Sequence, residues 1–242
     1  NYGSRTPVGV IGVICPWNLP LLLMTWKVAP ALACGNTVVV KPSEETPHTA
    51  ALLGEVMNEA GIPPGVYNVV HGFGPESAGE FLTTHPKVNA ITFTGETRTG
   101  AAIIRASAAG IKPVSMELGG KNPMIVMPGA DLEKAAEIAI GSAFGNAGQL
   151  CVSIERLYVP NHAIKEFEQV LKRRVESLTL GTSNEFKFDL GALTSKTQVE
   201  RVDGFIQRAV AEGARVVTGG KPATEIGPTF YPPTVLADSP MG

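Results

Sequence analysis

Two segments near the start of the sequence are almost entirely apolar and β-branched, and each has the length of one strand. They are residues 8–15 and residues 37–41. Strands buried on both faces of a parallel sheet have this near-continuous apolar composition. Apolar residues then recur at three- and four-residue spacing over residues 52–60, as on the buried face of a helix that ends at Gly61. This alternation of strand and helix predicts an α/β fold built on a doubly wound parallel sheet.

The alternation continues along the chain. Thr46 followed by Pro47 predicts the N-cap and the first helical position of the helix over residues 52–60. The paired glycines Gly119-Gly120 can hinge two sheets, so they mark the predicted domain boundary. Further strands are predicted at residues 66–70, 90–93, 123–127, 156–159 and 214–217, and further helices at residues 77–84, 97–109, from 131 onward, 164–178 and 199–209.

The composition excludes several classes of function. The chain of 242 residues has a net charge of −2 and no basic run, so it lacks the electrostatic signature of a nucleic-acid-binding protein. Apolar runs such as residues 19–28 are too short to span a membrane, and the first residues do not resemble a signal peptide. Three cysteines without a CxxC spacing argue against a disulfide framework or a metal site. They favour a reducing compartment, so we expect a cytoplasmic protein.

One of the three cysteines has a distinct setting. Cys151 lies in the glycine-rich run Phe-Gly-Asn-Ala-Gly-Gln-Leu-Cys-Val over residues 144–152. A loop of this kind exposes the sulfur and surrounds it with backbone N–H groups, as a thiolate nucleophile requires. Cys15 lies in a predicted strand and Cys34 ends an apolar helix, so both are expected to be small buried core residues.

Two further runs carry groups that would complement a nucleophilic thiol. Glu117 lies in Met-Glu-Leu-Gly-Gly-Lys-Asn-Pro over residues 116–123, and a carboxylate can activate the water that hydrolyses an acyl intermediate. Asn18 lies in Pro-Trp-Asn-Leu-Pro over residues 16–20, and its amide could hold an oxyanion. Each also has a structural interpretation, as an acid that ends a strand and as a turn residue.

Two other runs are typical of nucleotide sites. The run from Gly95 to Gly100 follows a predicted strand and opens a helix, whose N-terminus could face a phosphate. It is not a Walker loop, because Ala101 stands where lysine is needed. Lys-Pro-Ser-Glu over residues 41–44 comes directly off the second strand, where nucleotides bind in open α/β sheets. A solvated charge pair at a strand end is the alternative.

Taken together, these runs resemble those of the NAD(P)-dependent aldehyde dehydrogenase superfamily, and the resemblance covers nearly all 242 residues. It implies that Cys151 attacks the aldehyde carbonyl to form a thiohemiacetal, while its own N–H and the amide of Asn18 stabilise the oxyanion. Loss of hydride to NAD leaves a thioester, and Glu117 deprotonates the water that hydrolyses it to the carboxylic acid. Lys27 stands where many members carry a proton-relay lysine, although it could equally be a solvated helix lysine.

The resemblance also implies a domain organisation. Residues 1–118 would form a Rossmann-type NAD-binding domain, in which residues 1–6 end an oligomerisation strand. Residues 119–242 would form an incomplete second α/β domain that carries the catalytic thiol. About half of a full-length member is missing from the chain, so we expect a segment of a longer protein that forms a homodimer or homotetramer.

The family pattern assigns the cofactor. Glu44 would accept hydrogen bonds from both adenosine ribose hydroxyls and repel a 2′-phosphate, which favours NAD over NADP. Many members have serine where this chain has Glu96, and an anion there would repel pyrophosphate unless it caps the helix or pairs with Arg98. The implied cofactor-binding residues are Ile14, Pro16, Trp17, Lys41, Ser43, Glu44, Gly74, Pro75, Thr94, Gly95, Glu96, Leu118 and Gly119.

The substrate is less constrained. Residues 16–27 and 93–100 are similar to 2-hydroxymuconic semialdehyde dehydrogenases, whereas residues 148–158 are closer to succinate-semialdehyde dehydrogenase-type members. Trp26 and Gly145 occupy the places of the arginines that hold the acid tail in succinate-semialdehyde enzymes. An apolar tunnel suited to aromatic, aliphatic or ring-cleavage semialdehydes is therefore expected, lined by Leu19, Leu23, Trp26, Leu150 and Val152.

Three alternatives to this activity can be weighed from the sequence. Glu117 argues against a CoA-acylating relative, and no basic phosphate site beside Cys151 supports a phosphorylating one. A homologue with a structural or binding role would be expected to have lost Cys151 or Glu117. The alternative that stays open is a fragment or homologue that has the fold but no independent catalytic activity and serves a structural or binding role.

Overall fold

The computed structural model describes Gly3 and residues 6–239. Its internal contacts divide the chain into two compact units, the first ending at Gly119 and the second beginning at Gly120. The oligomerisation strand expected at residues 1–6 lies mostly outside the described residues.

A five-stranded, wholly parallel sheet forms the first unit. Its elements are β1 (Val10–Ile14), α1 (Pro20–Ala33), β2 (Thr37–Lys41), α2 (His48–Glu59), β3 (Tyr67–Val69), α3 (Ala78–Thr84), β4 (Ala90–Thr94), α4 (Thr97–Ala108) and β5 (Val114–Glu117). The strand order is β3-β2-β1-β4-β5, so the direction of winding reverses between β1 and β4. This order confirms the predicted Rossmann-type doubly wound sheet and creates a crevice where the winding reverses.

Helices cover both faces of this sheet, and the side chains of its central strand point alternately to one face and to the other. Ile11, Val13 and Cys15 point to one face, where they pack in a core that includes Met24 and Val28 of α1. On the other face, Ile14 packs in a second core with Leu82 of α3 and Ile103 of α4. Burial on both faces explains why this segment is apolar throughout.

Two asparagine side chains close the amino edge of the sheet, by which we mean the end where the parallel strands begin. Asn36 Oδ1 accepts hydrogen bonds from the backbone N–H groups of Val8 (2.7 Å) and Gly9 (3.0 Å). Asn89 Oδ1 accepts one from the N–H of Val10 (2.8 Å). These bonds satisfy the backbone just before β1 and at its first residue.

The second unit contains two small sheets. Its elements are β6 (Asn122–Ile125), α5 (Leu132–Phe144), β7 (Ile154–Tyr158), α6 (Ile164–Glu176), α7 (Lys196–Ala211), β8 (Arg215–Thr218) and β9 (Val235–Ala237). Strands β6 and β7 pair in parallel, and β8 and β9 pair antiparallel. Asp131 caps α5, since its Oδ1 accepts from the N–H groups of Glu133 (3.0 Å) and Lys134 (3.1 Å).

Two local predictions are wrong. Helix α2 begins at His48 after Pro47 and has no side-chain cap; the N–H of Thr46 instead donates to Ser43 O (3.2 Å), which places Thr46 in the preceding turn. Cys34 is exposed, because α1 ends at Ala33 and the next residue has already left the core. In the described part of the chain, no helix has both the length and the apolar character needed to cross a bilayer.

Candidate active site

Most of the predicted site residues of the first unit lie at the carboxyl edge of the sheet, where its parallel strands end. Residues 16–18 follow β1, residues 41–44 end and follow β2, residues 94–96 end and follow β4, and residues 117–119 end and follow β5. Gly74 and Pro75 lie between β3 and α3. Since parallel strands end at the same edge, runs that are up to 100 residues apart in sequence are brought to one side of the sheet.

Lys41 is held in place at this edge. Its side chain is only 6% exposed, and its Nζ donates to Pro42 O (2.8 Å) and to Glu44 Oε2 (3.4 Å). The Glu44 side chain is 45% exposed, so its carboxylate remains accessible to a ligand. Ser43 is buried, and its Oγ accepts from the N–H of Glu45 (3.3 Å). Lys41 is therefore an ordered, buried cation and not a solvated lysine.

The turn after β4 packs its backbone closely against an aromatic ring. A Cβ on Gly95 would lie 2.6 Å from Cζ of the Phe93 ring, so a larger residue does not fit there. The N–H of Gly95 donates to Glu117 O (3.1 Å), which ties the end of β4 to the end of β5. Glu96 does not cap α4; its Oε2 lies 3.4 Å from Nη2 of Arg98. Pairing with Arg98 offsets the negative charge of Glu96 and so lessens the repulsion between Glu96 and an anion bound at this turn.

Asn18 lies in the bend between β1 and α1. Ile14 at the end of β1 is buried, whereas Pro16, Trp17 and Asn18 are half-buried. Helix α1 begins at Pro20, a residue whose fixed φ suits the first turn of a helix. The short bend therefore keeps the Asn18 side chain near the carboxyl edge.

Lys27, Cys15 and Glu117 interact electrostatically within the first unit. Burial lowers the pKa of Lys27, and the nearby Cys15 and Glu117 oppose that shift only in part. Burial raises the pKa of the Cys15 thiol to about 12, against the opposing effect of Lys27 and Lys41. Burial thus keeps Cys15 in the unreactive thiol form, and Lys27 is a half-buried amine whose pKa is affected by the Glu117 carboxylate.

Replacing Lys27 by methionine is expected to raise the Tm of the full-length protein at pH 7 and to lower kcat about tenfold. A lysine whose folded-state pKa is lowered destabilises the fold at every pH below that value. This cost disappears as the pH rises to the unfolded-state pKa of about 10.4. Calorimetry should therefore show a Tm difference between Lys27→Met and the parent that shrinks in alkaline buffer. The exposed Lys165 supplies the control, and an equal Tm change in Lys165→Met would contradict the prediction.

In the second unit, Cys151 is exposed and follows an unusual left-handed turn (Gly145–Gly148). The φ angles of Asn146, Ala147 and Gly148 are 54°, 56° and 76°, a conformation that is strained for non-glycine residues. The Gln149 side chain secures the turn, since its Nε2 donates to Asn146 O (3.0 Å) and its Oε1 accepts from Thr194 N (2.9 Å). The loop that carries the thiol is therefore fixed on the side that precedes the cysteine.

The five residues expected to line the substrate tunnel are divided between the units. Leu19 precedes α1, and Leu23 and Trp26 lie one turn apart on it. Leu23 is buried, whereas Trp26 is 67% exposed. Leu150 and Val152 flank Cys151, and Val152 is 72% exposed. Each unit thus presents apolar surface next to a predicted catalytic residue.

Sequence reasoning assigns no role to Asn122, although it lies in the same run as Glu117. In the structure its Nδ2 donates to the carbonyl oxygens of Cys151 (2.7 Å) and Ser153 (2.9 Å). The available signal was an amide side chain at the start of a strand, two residues after a glycine pair.

With this geometry in view, comparison with known proteins identifies the family. Residues 1–241 match the model of the aldehyde dehydrogenase family. The chain belongs to the aldehyde dehydrogenase family. It is 62% identical to a 2-hydroxymuconic semialdehyde dehydrogenase from Pseudomonas sp. (strain CF600), over 98% of this chain and 50% of that protein. The similarity runs through both units, so the likeness expected for the first unit extends to the second.

Solved structures of aldehyde dehydrogenases have the same fold. A mutant of aldehyde dehydrogenase C from Pseudomonas syringae, complexed with NAD+ and octanal, matches with a TM-score of 0.93 and 39% identity, over 97% of this chain and 49% of that chain. An NADP-dependent enzyme from E. coli matches with a TM-score of 0.93 and 42% identity, over 97% and 48%. The chain spans about half the length of the curated relatives it matches.

Proposed function

We propose that the protein catalyses the NAD-dependent oxidation of an aldehyde to a carboxylic acid, with Cys151 as the nucleophile. The observation that carries this proposal is the exposed thiol of Cys151 in a loop whose backbone is fixed by side-chain amides. Buried cysteines are inert, as Cys15 illustrates, whereas an exposed thiol among polar groups can attack a carbonyl carbon.

The chemistry divides among a few residues. Cys151, which is exposed, loses its proton to solvent, and its sulfur forms a bond to the carbonyl carbon of the aldehyde. The negative charge that develops on the oxygen is stabilised by the N–H of Cys151 and the amide of Asn18. A nicotinamide cofactor held by Lys41 and Glu44 would supply the hydride acceptor, and loss of the hydride from that carbon would leave a thioester on Cys151. Glu117 then takes a proton from water, the water oxygen displaces the sulfur, and the acid is released.

The carboxyl edge fits a dinucleotide. The Oγ1 of Thr94 is buried and has no hydrogen-bond partner among the described residues, so a ligand at this edge would satisfy it. Lys41 and Glu44 offer an amine and a carboxylate that can bind ribose hydroxyls, and the N-terminus of α4, which has no side-chain cap, can face a phosphate. These are the residues that we propose hold NAD.

The preference for NAD over NADP is assigned to Glu44. Its partly exposed carboxylate would repel a 2′-phosphate and lose hydrogen bonds to the ribose, which together amount to ~2–4 kcal/mol, or roughly 30- to 1,000-fold in kcat/KM. Glu44→Gln is expected to relax the preference chiefly by improving the use of NADP. The measurement is kcat/KM for both cofactors, with Glu45→Gln as the neighbouring control. Equal use of NADP by the unmodified protein would contradict the assignment.

For the substrate we propose a ring-cleavage semialdehyde of the 2-hydroxymuconic type, as in aromatic catabolism. The 62% identity to a 2-hydroxymuconic semialdehyde dehydrogenase over nearly the whole chain supports this choice. The exposed apolar side chains of Trp26 and Val152 support the wider range of aromatic and aliphatic aldehydes. A panel of all three classes, assayed by NADH absorbance with the full-length protein, tests the proposal, which expects the highest kcat/KM for the ring-cleavage semialdehyde. A higher kcat/KM for either of the other two classes would contradict it.

The alternative is a segment that has the fold without independent activity, and the half-length match to the relatives favours this for residues 1–242 alone. Comparing the turnover of this segment with that of the full-length protein separates the two. The family resemblance further supports a homodimer or homotetramer, which light scattering would test. The cysteine usage supports a cytoplasmic location, which fractionation would test.

A further inference from the structure

The loop that carries Cys151 is fixed from both sides. Before the cysteine, the left-handed turn and Gln149 hold the chain. After it, the loop leads directly into β7, whose first residue pairs with Asn122. The register of the β6–β7 pair shifts immediately after Asn122, so this asparagine lies where regular strand pairing begins.

The Asn122 amide holds the chain directly after the cysteine. Its single Nδ2 donates to Cys151 O at 2.7 Å and to Ser153 O at 2.9 Å, so one planar NH2 group holds the carbonyls on both sides of Val152. The N–H of Ser153 in turn donates to Leu150 O (3.1 Å), which closes the loop into a turn. A carbonyl held in this way fixes the peptide plane that follows it, and the pair of bonds limits rotation about the Cys151 backbone.

The backbone at Gly120 also passes close to the Cys151 carbonyl and the Asn122 amide. A Cβ on Gly120 would lie 3.1 Å from Asn122 Oδ1 and 3.3 Å from Cys151 O, so the chain passes close to this carbonyl. An asparagine is the side chain that fits the position chemically, because it offers two N–H donors from one short, rigid group. An aspartate of the same shape would instead turn carboxylate oxygens towards two carbonyl oxygens.

We propose that Asn122 is a positioning residue for the reaction at Cys151. It holds the cysteine backbone so that the sulfur and the Cys151 N–H keep their places relative to the aldehyde carbon and oxygen. This inference rests on the proposed function, since it assigns to Asn122 the task of orienting the nucleophile and one oxyanion donor. A misplacement of about 1 Å in such groups is enough to slow a reaction roughly 100-fold.

The test uses the full-length protein and two variants, Asn122→Ala and Asn122→Asp. The single-turnover rate of NADH formation is expected to fall by about 30- to 100-fold in both. The KM for NAD and the rate of Cys151 alkylation by iodoacetamide should stay within about threefold of the parent, because neither requires the oriented N–H. Asn68 provides a matched control, since its Nδ2 also donates to two carbonyls, Val38 O (3.1 Å) and Gly65 O (2.8 Å).

The control separates positioning from stability. Asn68→Ala loses the same kind and number of hydrogen bonds, so it should lower the Tm while leaving the single-turnover rate within about threefold. Equal rate losses in the Asn68 and Asn122 variants would overturn the proposal, as would a rise in the KM for NAD that matches the fall in rate. Loss of folded protein in both Asn122 variants would overturn it too, because Asn122 would then be purely structural. Cys151→Ala distinguishes the two proposals, since activity without that thiol refutes the proposed function itself.

Discussion

Cys151→Ala is expected to lower kcat of the full-length protein by at least about 10⁴-fold, to the limit of the assay. The alanine cannot form the thiohemiacetal, so no covalent path to the thioester remains. NADH absorbance with a responsive aldehyde measures the loss. The variant should still bind NAD, because the proposed cofactor residues lie in the first unit or at its boundary. Quenching of tryptophan fluorescence measures this binding.

The two other cysteines serve as controls for this experiment. Cys15 is buried in the core under α1 and Cys34 is exposed beyond the end of that helix. Cys34→Ala should be neutral, and Cys15→Ala should cost stability through the cavity it leaves while the folded protein stays active. Full activity of the Cys151→Ala protein would refute the nucleophile assignment.

Glu117→Gln is expected to leave a burst of NADH, one equivalent per site, followed by a steady rate lowered about 10²- to 10⁴-fold. A glutamine can keep the shape of the side chain at the end of β5, but it cannot take a proton from water. Hydride transfer would therefore proceed while hydrolysis of the thioester stalls. Stopped-flow absorbance resolves the two phases.

A carboxylate elsewhere in the first unit controls for the loss of charge. Glu55 is exposed on α2, away from the strand ends, and Glu55→Gln should behave like the parent. If Glu117→Gln lost the burst together with the steady rate, Glu117 would act earlier, as the base that activates the thiol.

The parts of the fold that sequence could predict are those with a local signal. Strands β1 and β2 are buried on both faces and are therefore apolar throughout. The start of α5 is indicated by Asp131, which caps it. Strand β9 has only three residues, and its pairing with β8 depends on a contact about 20 residues away, so nothing local reveals it. Thr46 was a plausible cap by composition, but α2 begins one residue later than predicted, so Pro47 occupies the cap position and Thr46 lies in the preceding turn.

In the candidate site, too, features with a local sequence signal could be predicted and features that depend on distant contacts could not. Runs of residues located Cys151, Glu117 and Asn18, because their neighbours in sequence are part of the pattern. The burial of Lys41, the lowered pKa of Lys27 and the two bonds of Asn122 could not be predicted. Each depends on which distant residues fold against the side chain, and a sequence pattern contains no such distances.

The two edges of the sheet in the first unit differ in role: one stabilises the fold and the other holds the proposed cofactor residues. This separation matters for redesign of the protein. The amino edge is closed by Asn36 and Asn89, whereas Glu44 and Thr94 present polar groups at the carboxyl edge. A five-residue strand separates them by roughly 16 Å, beyond the range over which substitutions usually couple. Substitutions that change cofactor preference at the carboxyl edge and substitutions that raise stability at the amino edge could therefore be selected in separate libraries. Their effects should add when the selected substitutions are combined.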